Sequence, residues 1–394
     1  MNRLEVIGAG PGAGDMLTLR ARAAIDGAQA VWCAERTEEL VPEEKRRPLS
    51  PFSRAMDDME AELQRGVRCA VLLSGDTGVY SMLSLLKRRF GAERLRVQTG
   101  VGSLMYLCAS LGLSWQDARI LSGHGRALSP AALCHEARTH CMVLLLMDGE
   151  RDPRWARRAL DMGGLQHVTM TVGERLSYEN EVIAPFEDRA YDPLCAAVIE
   201  NPEPEKGLPP VGLEDEAFIR GKTPMTKKEI RSLILSALRL TKDAVVWDVG
   251  AGTGSVSVEC ARQCPWGYVY AVEKDGEALA LIGQNRDAFH LQNMEVVPGR
   301  APEALSDLPA PTHVFLGGTG GESREIMAML KAFHAPIRVC ATAVTMETAQ
   351  LLTEEMGKYA DFSAAQVAVN RLERVGHYRM FRAQNPVFVF SCTI

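Results

Sequence analysis

The sequence predicts an α/β protein of two unlike domains, and three observations carry that prediction. Short apolar runs alternate with amphipathic stretches along the whole chain, the pattern of strands covered by helices. Near the middle, Asn201 to Pro210 reads NPEPEKGLPP, a cluster of prolines, glycine and charges that cannot continue a helix or a sheet ladder. Each half also carries a glycine-rich turn, the two being of different make and lying at different depths. With 394 residues the chain is long enough for two or three cores of roughly 150 residues each. We place the domains at 1–205 and 211–394.

In the first domain Leu4 to Ile7, Ala70 to Leu73 and Met142 to Met147 read as strands. In the second, Ala244 to Val249, Tyr268 to Val272, Met294 to Val297 and Thr312 to Leu316 do, each followed by a helix-like segment or a short turn. Glu43 to Arg47, EEKRR, reads as a solvated helix end.

Composition bounds the function. Hydrophobic residues make up 46% and charged residues 24%, the balance of a soluble globular protein, and no stretch reaches transmembrane length. The opening residues lack the basic segment and apolar core of a signal peptide, so a cytoplasmic protein is expected. Lys plus Arg total 44 against 50 Asp plus Glu, a net charge of −6 that opposes general attraction to nucleic-acid phosphates. The ten cysteines are scattered without a CxxC pair and are expected to be reduced thiols, mostly core filling.

The sharper signal lies in VVWDVGAGTG, Val245 to Gly254, an apolar strand ending in Asp248, then three glycines, then a helix near Ser255. Glycines let the backbone turn tightly and approach a ligand that any Cβ would block, while the helix start presents free N–H groups. The next strand ends in Glu273, where a carboxylate can accept from both hydroxyls of a ribose. The spacing GxGxG differs from the dinucleotide GxGxxG, and Asp248 stands where a methionine amino group would lie, which favours S-adenosylmethionine over NAD.

MTKKEIR (225–231), WDVGAGTGSVSVE (247–259), GRAPEAL (299–305), FLGGTGG (315–321), AVTMET (343–348), QVAVNR (366–371) and NPVFVF (385–390) resemble the decarboxylating precorrin methyltransferase family, over nearly the whole second domain. The resemblance implies a Rossmann-like class I methyltransferase fold. It puts Thr226, Gly250, Ala251, Gly252, Thr253, Gly254, Glu273 and Ala301 around S-adenosylmethionine, with Gly317 and Gly318 toward the substrate.

The first glycine turn, LEVIGAGPGAGDMLT (4–18), could be scored as a dinucleotide loop, but Pro11 fixes φ and removes an N–H that such a loop offers to pyrophosphate. Together with LLSGDTGVYSM (72–82), TGVGSLMYLCASLG (99–112), SGHGR (122–126), LLLMDG (144–149) and VGERLSYENE (172–181), it resembles the tetrapyrrole (corrin/porphyrin) methylases, narrowed to the precorrin methylases acting at C5. That implies a class III methyltransferase fold with cofactor contacts at Pro11, Gly75, Asp76, Val79 and Ser103. This chain departs from the family pattern in three places. Ala13 and Gly14 intervene before Asp15, Thr77 stands where proline is common, and so does Thr99.

The two resemblances together imply a fused enzyme of cobalamin biosynthesis. It would methylate precorrin-6 at C5 and C15 and remove the ring C acetate carboxyl, giving precorrin-8. Metal-free and cobalt-containing substrates both stay open, and an RNA methyltransferase is the runner-up that the net charge opposes. A first domain that binds tetrapyrrole without catalysing is a further alternative. Both families commonly assemble from several chains, so a homo-oligomer is expected.

Methyl transfer from a sulfonium is an in-line displacement that needs alignment and desolvation, with no protein nucleophile. His124 would suit proton handling on the macrocycle. Arginines should hold the substrate's carboxylates bidentately, with Arg126 and Arg371 as candidates. The other histidines, at 135, 140, 167, 290, 313, 334 and 377, show no zinc spacing, and no protein-held metal is expected.

Overall fold

The computed structural model describes residues 3–124, 128–207 and 210–394. The chain forms two compact units. The first comprises Met1–Leu128, Glu136–Asp161 and Leu165–Glu205; the second comprises Lys206–Ile394 with the short stretches Ser129–His135 and Met162–Gly164.

The first half of the chain runs β1 (Leu4–Gly8), α1 (Leu19–Gly27), β2 (Ala30–Cys33), β3 (Arg46–Pro48), α2 (Phe52–Gln64), β4 (Cys69–Leu73), α3 (Leu83–Phe90), β5 (Leu95–Gln98) and α4 (Ser103–Leu111). It continues with β6 (Arg119–Ser122), α5 (Pro130–Thr139), β7 (Met142–Leu146), α6 (Pro153–Met162), β8 (Thr169–Glu174), β9 (Val182–Pro185) and β10 (Cys195–Glu200). The first five strands make one parallel sheet in the order β3-β2-β4-β1-β5. Its central strands β1 and β4 are buried along nearly their whole length, as both faces of a parallel sheet must be. β6 to β10 make a second sheet, β6-β7-β10-β8-β9, in which only β6 and β7 run parallel. The antiparallel half was not foreseen, because apolar runs report burial and not strand direction.

The second unit contains α7 (Lys228–Leu238), β11 (Val245–Val249), α8 (Ser255–Gln263), β12 (Tyr268–Glu273), α9 (Gly276–Ala288), β13 (Met294–Pro298), β14 (His313–Leu316), α10 (Ser323–Leu330) and β15 (Arg338–Ala343). It ends with α11 (Met346–Met356), β16 (Ser363–Val367), β17 (Asn370–Val375), β18 (Tyr378–Ala383) and β19 (Val387–Thr393). Seven strands form one sheet, β13-β12-β11-β14-β15-β19-β16, parallel as far as β15 and antiparallel beyond it. β17 and β18 pair as a separate hairpin. One core holds Trp247, Val249, Ile326 and Val339, the other Ile234, Val246, Val258 and Phe315.

Both units are α/β as expected, and the parallel order β13-β12-β11-β14-β15 of the second is Rossmann-like. Glu43–Arg47 corrects one local expectation. It is a single turn of 3-10 helix, Glu43–Lys45, running into the edge strand β3, with Lys45 Nζ donating to the Asp26 carbonyl at 2.7 Å. Among the described residues no helix is long and apolar enough to cross a membrane. All ten cysteines are free, and only Cys141 is exposed.

Candidate functional site: two cavities over glycine loops

Each unit has a cavity where parallel strands end, the place at which open α/β sheets bind ligands. In the second unit the cavity is about 420 Å³ and is lined by Thr226, Gly250, Ala251, Gly252 and Thr253, with Gly317 and Gly318 opposite. Gly250, Gly252 and Gly254 have φ of 75°, 57° and 75°, the left-handed region where a side chain is strained. A Cβ on Gly250 would lie 2.4 Å from the Gly318 carbonyl oxygen, so the loops after β11 and β14 meet backbone to backbone. Around Gly252 the nearest atom to such a Cβ is 3.5 Å away, which leaves room for a ligand.

Glu273, half-buried at the end of β12, fixes this loop. Its Oε2 accepts from the Gly252 N–H at 2.9 Å, and Oε1 accepts from Lys274 N and Asp275 N at 2.8 and 3.1 Å. A carboxylate offers about four acceptor positions, so one remains for a ligand hydroxyl. Neither Glu273, Gly254 nor Ala301 lies on the cavity wall. Gly254 caps α8, and Ala301 packs into the core beside Val272.

Asp248 departs from its expected place beside a methionine amino group. It is fully buried, Ser257 Oγ donates to its Oδ2, and Oδ1 has no partner among the described residues. Burial pushes its carboxyl up to about 7. Thr253 lines the cavity, and its hydroxyl is also buried and unpartnered among the described residues.

Arg371 corrects another expectation. Its guanidinium binds Glu229 at 3.1 and 2.6 Å and Asp215 at 2.9 Å, so a carboxylate-binding role gives way to an internal ion-pair network. The centre of that network is Arg231, which sequence reasoning missed. It is fully buried, bonded to Glu259 at 2.7 Å and Asp215 at 2.9 Å, and it donates to the carbonyls of Thr226 and Leu213. The Phe218 ring lies under it at 4.6 Å. The network therefore holds the cavity-lining segment at Thr226. Its only signal in the sequence was an arginine between Ile230 and Ile234 on an apolar helix face.

In the first unit the cavity is about 390 Å³ and brings together Pro11, Gly75, Asp76, Val79, Ser103 and His124. The loops after β1 and β4 bridge through Gly10 N to Gly75 O at 3.2 Å and Gly75 N to Gly10 O at 2.8 Å. A Cβ on Gly100 would come within 2.4 Å of the Gly75 carbonyl oxygen, so the loop after β5 closes on the same point. Asp76 ties them, its Oδ1 accepting from Gly78 N at 2.6 Å and its Oδ2 from Thr99 Oγ1 at 2.6 Å and Gly100 N at 3.1 Å. Thr99, a departure from the family pattern, thus supplies an O–H that proline lacks. The added Ala13 donates its N–H to Ser177 Oγ at 2.9 Å, and Thr18, not Asp15, caps α1. Arg126 lies outside the described residues.

Comparison with known proteins gives the following. The family model for tetrapyrrole (corrin/porphyrin) methylases matches residues 3–188, and that for the precorrin methyltransferase domain matches residues 216–394. The chain is 30% identical over 361 residues, 90% of its own length and 86% of the relative's, to a decarboxylating precorrin-6Y C(5,15)-methyltransferase from a Sinorhizobium species. Over 187 residues, 46% of this chain and 95% of the relative, it is 35% identical to the decarboxylating cobalt-precorrin-6B C(15)-methyltransferase of Salmonella typhimurium. A solved precorrin-6Y C5,15-methyltransferase structure from Geobacter metallireducens covers 47% of this chain and 98% of its own at 34% identity, with a TM-score of 0.44.

Proposed function

The chain belongs to the decarboxylating precorrin-6Y C5,15-methyltransferases, and from that premise we propose how its two units share the work. The enzyme methylates a precorrin at C5 and C15 with decarboxylation, in cobalamin biosynthesis. Residues 1–205 carry the C5 methylation, and residues 211–394 carry the C15 methylation and the loss of the ring C acetate carboxyl. S-adenosylmethionine is the methyl donor of both.

The observation that carries this reading is the pair of cavities, each set over glycine loops at the ends of parallel strands. In the second, the residues fit the cofactor. The backbone at Gly252 is open to close approach, and the buried Thr253 hydroxyl lacks a partner that a bound polar group supplies. Gly250 to Thr253 with Thr226 would hold it, with Gly254 capping α8 behind them, and a ribose reaching beyond the cavity wall would meet the remaining acceptor position of Glu273. When bound, S-adenosylmethionine supplies an electrophilic methyl group. The chain's part is to align that group with the macrocycle carbon and keep water away. Phe315, Val344, Val369 and Val387 give the second cavity an apolar wall suited to decarboxylation. In the first unit Pro11, Gly75, Val79 and Ser103 would contact the cofactor, Asp76 would hold the loops that do so, and His124 stands in the same cavity to handle protons.

A cobalt-containing macrocycle is the second reading, favoured by the likeness of the second unit to cobalt-precorrin-6B methyltransferases. Mass spectrometry of the product from metal-free and from cobalt precorrin-6, each with S-adenosylmethionine, tests both. Two methyl gains with loss of carbon dioxide support the proposal; a single methyl gain removes one unit from it. We carry the homo-oligomer forward as a proposal that size-exclusion chromatography with light scattering checks.

A further inference from the structure

A macrocycle rich in acetate and propionate groups, and a cofactor with an amino-acid end, both bring carboxylates into the first cavity, so the charges already there decide how these are met. Asp76 is taken up by Gly78, Thr99 and Gly100. Asp148 accepts from Glu150 N at 3.0 Å, Arg151 N at 2.6 Å and Arg151 Nη1 at 3.2 Å. Arg175 is paired with Asp192 at 2.5 Å. One ionised group on the cavity wall is left without an opposite charge or hydrogen-bond partner among the described residues, the guanidinium of Arg36.

Its placement is fixed although its charge is unmatched. Arg36 lies in the 3-10 segment Glu35–Leu40, which begins two residues after β2 ends. Thr37 and Leu40, which follow it in the segment, are buried, and Thr37 bonds back to the Ala34 carbonyl through N at 2.8 Å and Oγ1 at 2.9 Å. The backbone is thus held while the side chain stays exposed and free to turn. A planar fork of donors on a fixed stem is the arrangement that binds a carboxylate bidentately.

We infer that Arg36 is the carboxylate anchor of the first cavity, pairing with an acetate or propionate of the macrocycle or with the amino-acid carboxylate of the cofactor. This rests on the reading of that cavity as the C5 methylation site. A carboxylate held this way is positioned and its charge balanced, which turns the macrocycle's C5 edge, or the sulfonium methyl, toward the reaction.

The test uses the full chain with Arg36→Ala and Arg36→Lys. S-adenosylmethionine affinity is measured by calorimetry, KM and kcat for the C5 methyl gain by mass spectrometry, and carbon dioxide release as the internal reference for the second unit. For a charge-assisted pair, Arg36→Ala raises KM for the macrocycle on the order of ten- to a hundredfold with kcat little changed. Arg36→Lys, which keeps the charge without the fork, recovers part of that loss. Unchanged cofactor affinity assigns the macrocycle as the source of the carboxylate; affinity weakened by the same factor with KM unchanged assigns the cofactor. KM and affinity both unchanged in Arg36→Ala overturn the inference. Arg36→Lys behaving as Arg36→Ala, with carbon dioxide release falling alongside in both, overturns it too, because the effect is then on folding. A wild-type chain that gains no methyl at C5 overturns instead the function proposed for the first unit.

Discussion

Asp76 in the first unit and Glu273 in the second do the same job by the same means. Each stands at the end of a parallel-sheet strand or just beyond it, and each accepts three donors, Asp76 from Gly78, Thr99 and Gly100, Glu273 from the cavity-lining Gly252 and from Lys274 and Asp275 in its own turn. What differs is the support behind them. The first unit ties its loops to each other, Gly10 to Gly75 with Gly100 against Gly75 and Gly8. The second, besides the backbone approach of Gly250 to Gly318, fixes its cavity from behind, with Arg231, Asp215 and Glu259 buried beneath the Thr226 segment. Backbone-to-backbone closure needs only glycines, whereas a buried guanidinium requires every one of its charges and donors to be matched.

The sharpest way to break the comparison is Arg231→Met. It leaves Glu259 buried without its cation, at a cost of about 3–5 kcal/mol. We expect C15 methylation and carbon dioxide release to fail while C5 methylation persists, read by product mass and by chemical denaturation of the second unit. Loss of both activities would show that the units do not stand on separate supports.

Next in size is a pH effect confined to the second unit. Burial raises the Asp248 carboxyl to about 7, against about 3.9 in an unfolded chain. Between those values the folded state holds more protons than the unfolded one, so stability falls as pH rises through the window and levels off above it. Asp248→Asn should flatten that slope, measured as urea midpoints from about pH 5 to about pH 8. An equal slope in wild type and variant would remove Asp248 as its source.

Gly250→Ala and Gly100→Ala put the same question to both cavities. In each, the new Cβ lands 2.4 Å from a backbone carbonyl oxygen. Gly250 also has φ of 75°, so strain of about 1–3 kcal/mol adds there. Each variant should abolish the methyl gain of its own unit and spare the other.

The mildest pair is Asp76→Asn and Glu273→Gln. Each keeps the shape and loses acceptor capacity, and charge-assisted bonds of this kind are worth about 1.5–3 kcal/mol. S-adenosylmethionine affinity, by calorimetry, should fall at the altered cavity alone. Equal affinity in variant and wild type would mean that the loops hold their form without the carboxylate.

Much of this was readable beforehand, and the reason differs by residue. The strand cores at Leu4, Ala70, Val245 and Tyr268 were legible because an apolar run between turns has few other ways to be buried. Gly250 to Gly254 were legible because consecutive left-handed turns admit little else. Arg371 was misjudged because an arginine's partner is whatever carboxylate the fold brings near. Glu229, its partner, is 142 positions away in the sequence.

The sequence by itself determined the α/β class, the two-part division and the glycine loops, since hydrophobic period and φ preference are local properties. Only the tertiary structure decided that Asp248 faces Ser257 inside the core, that Arg231 underlies the Thr226 segment, and that Arg36 remains unmatched. Burial and pairing of a charge depend on neighbours supplied from far along the chain, and no local pattern encodes which of them arrive.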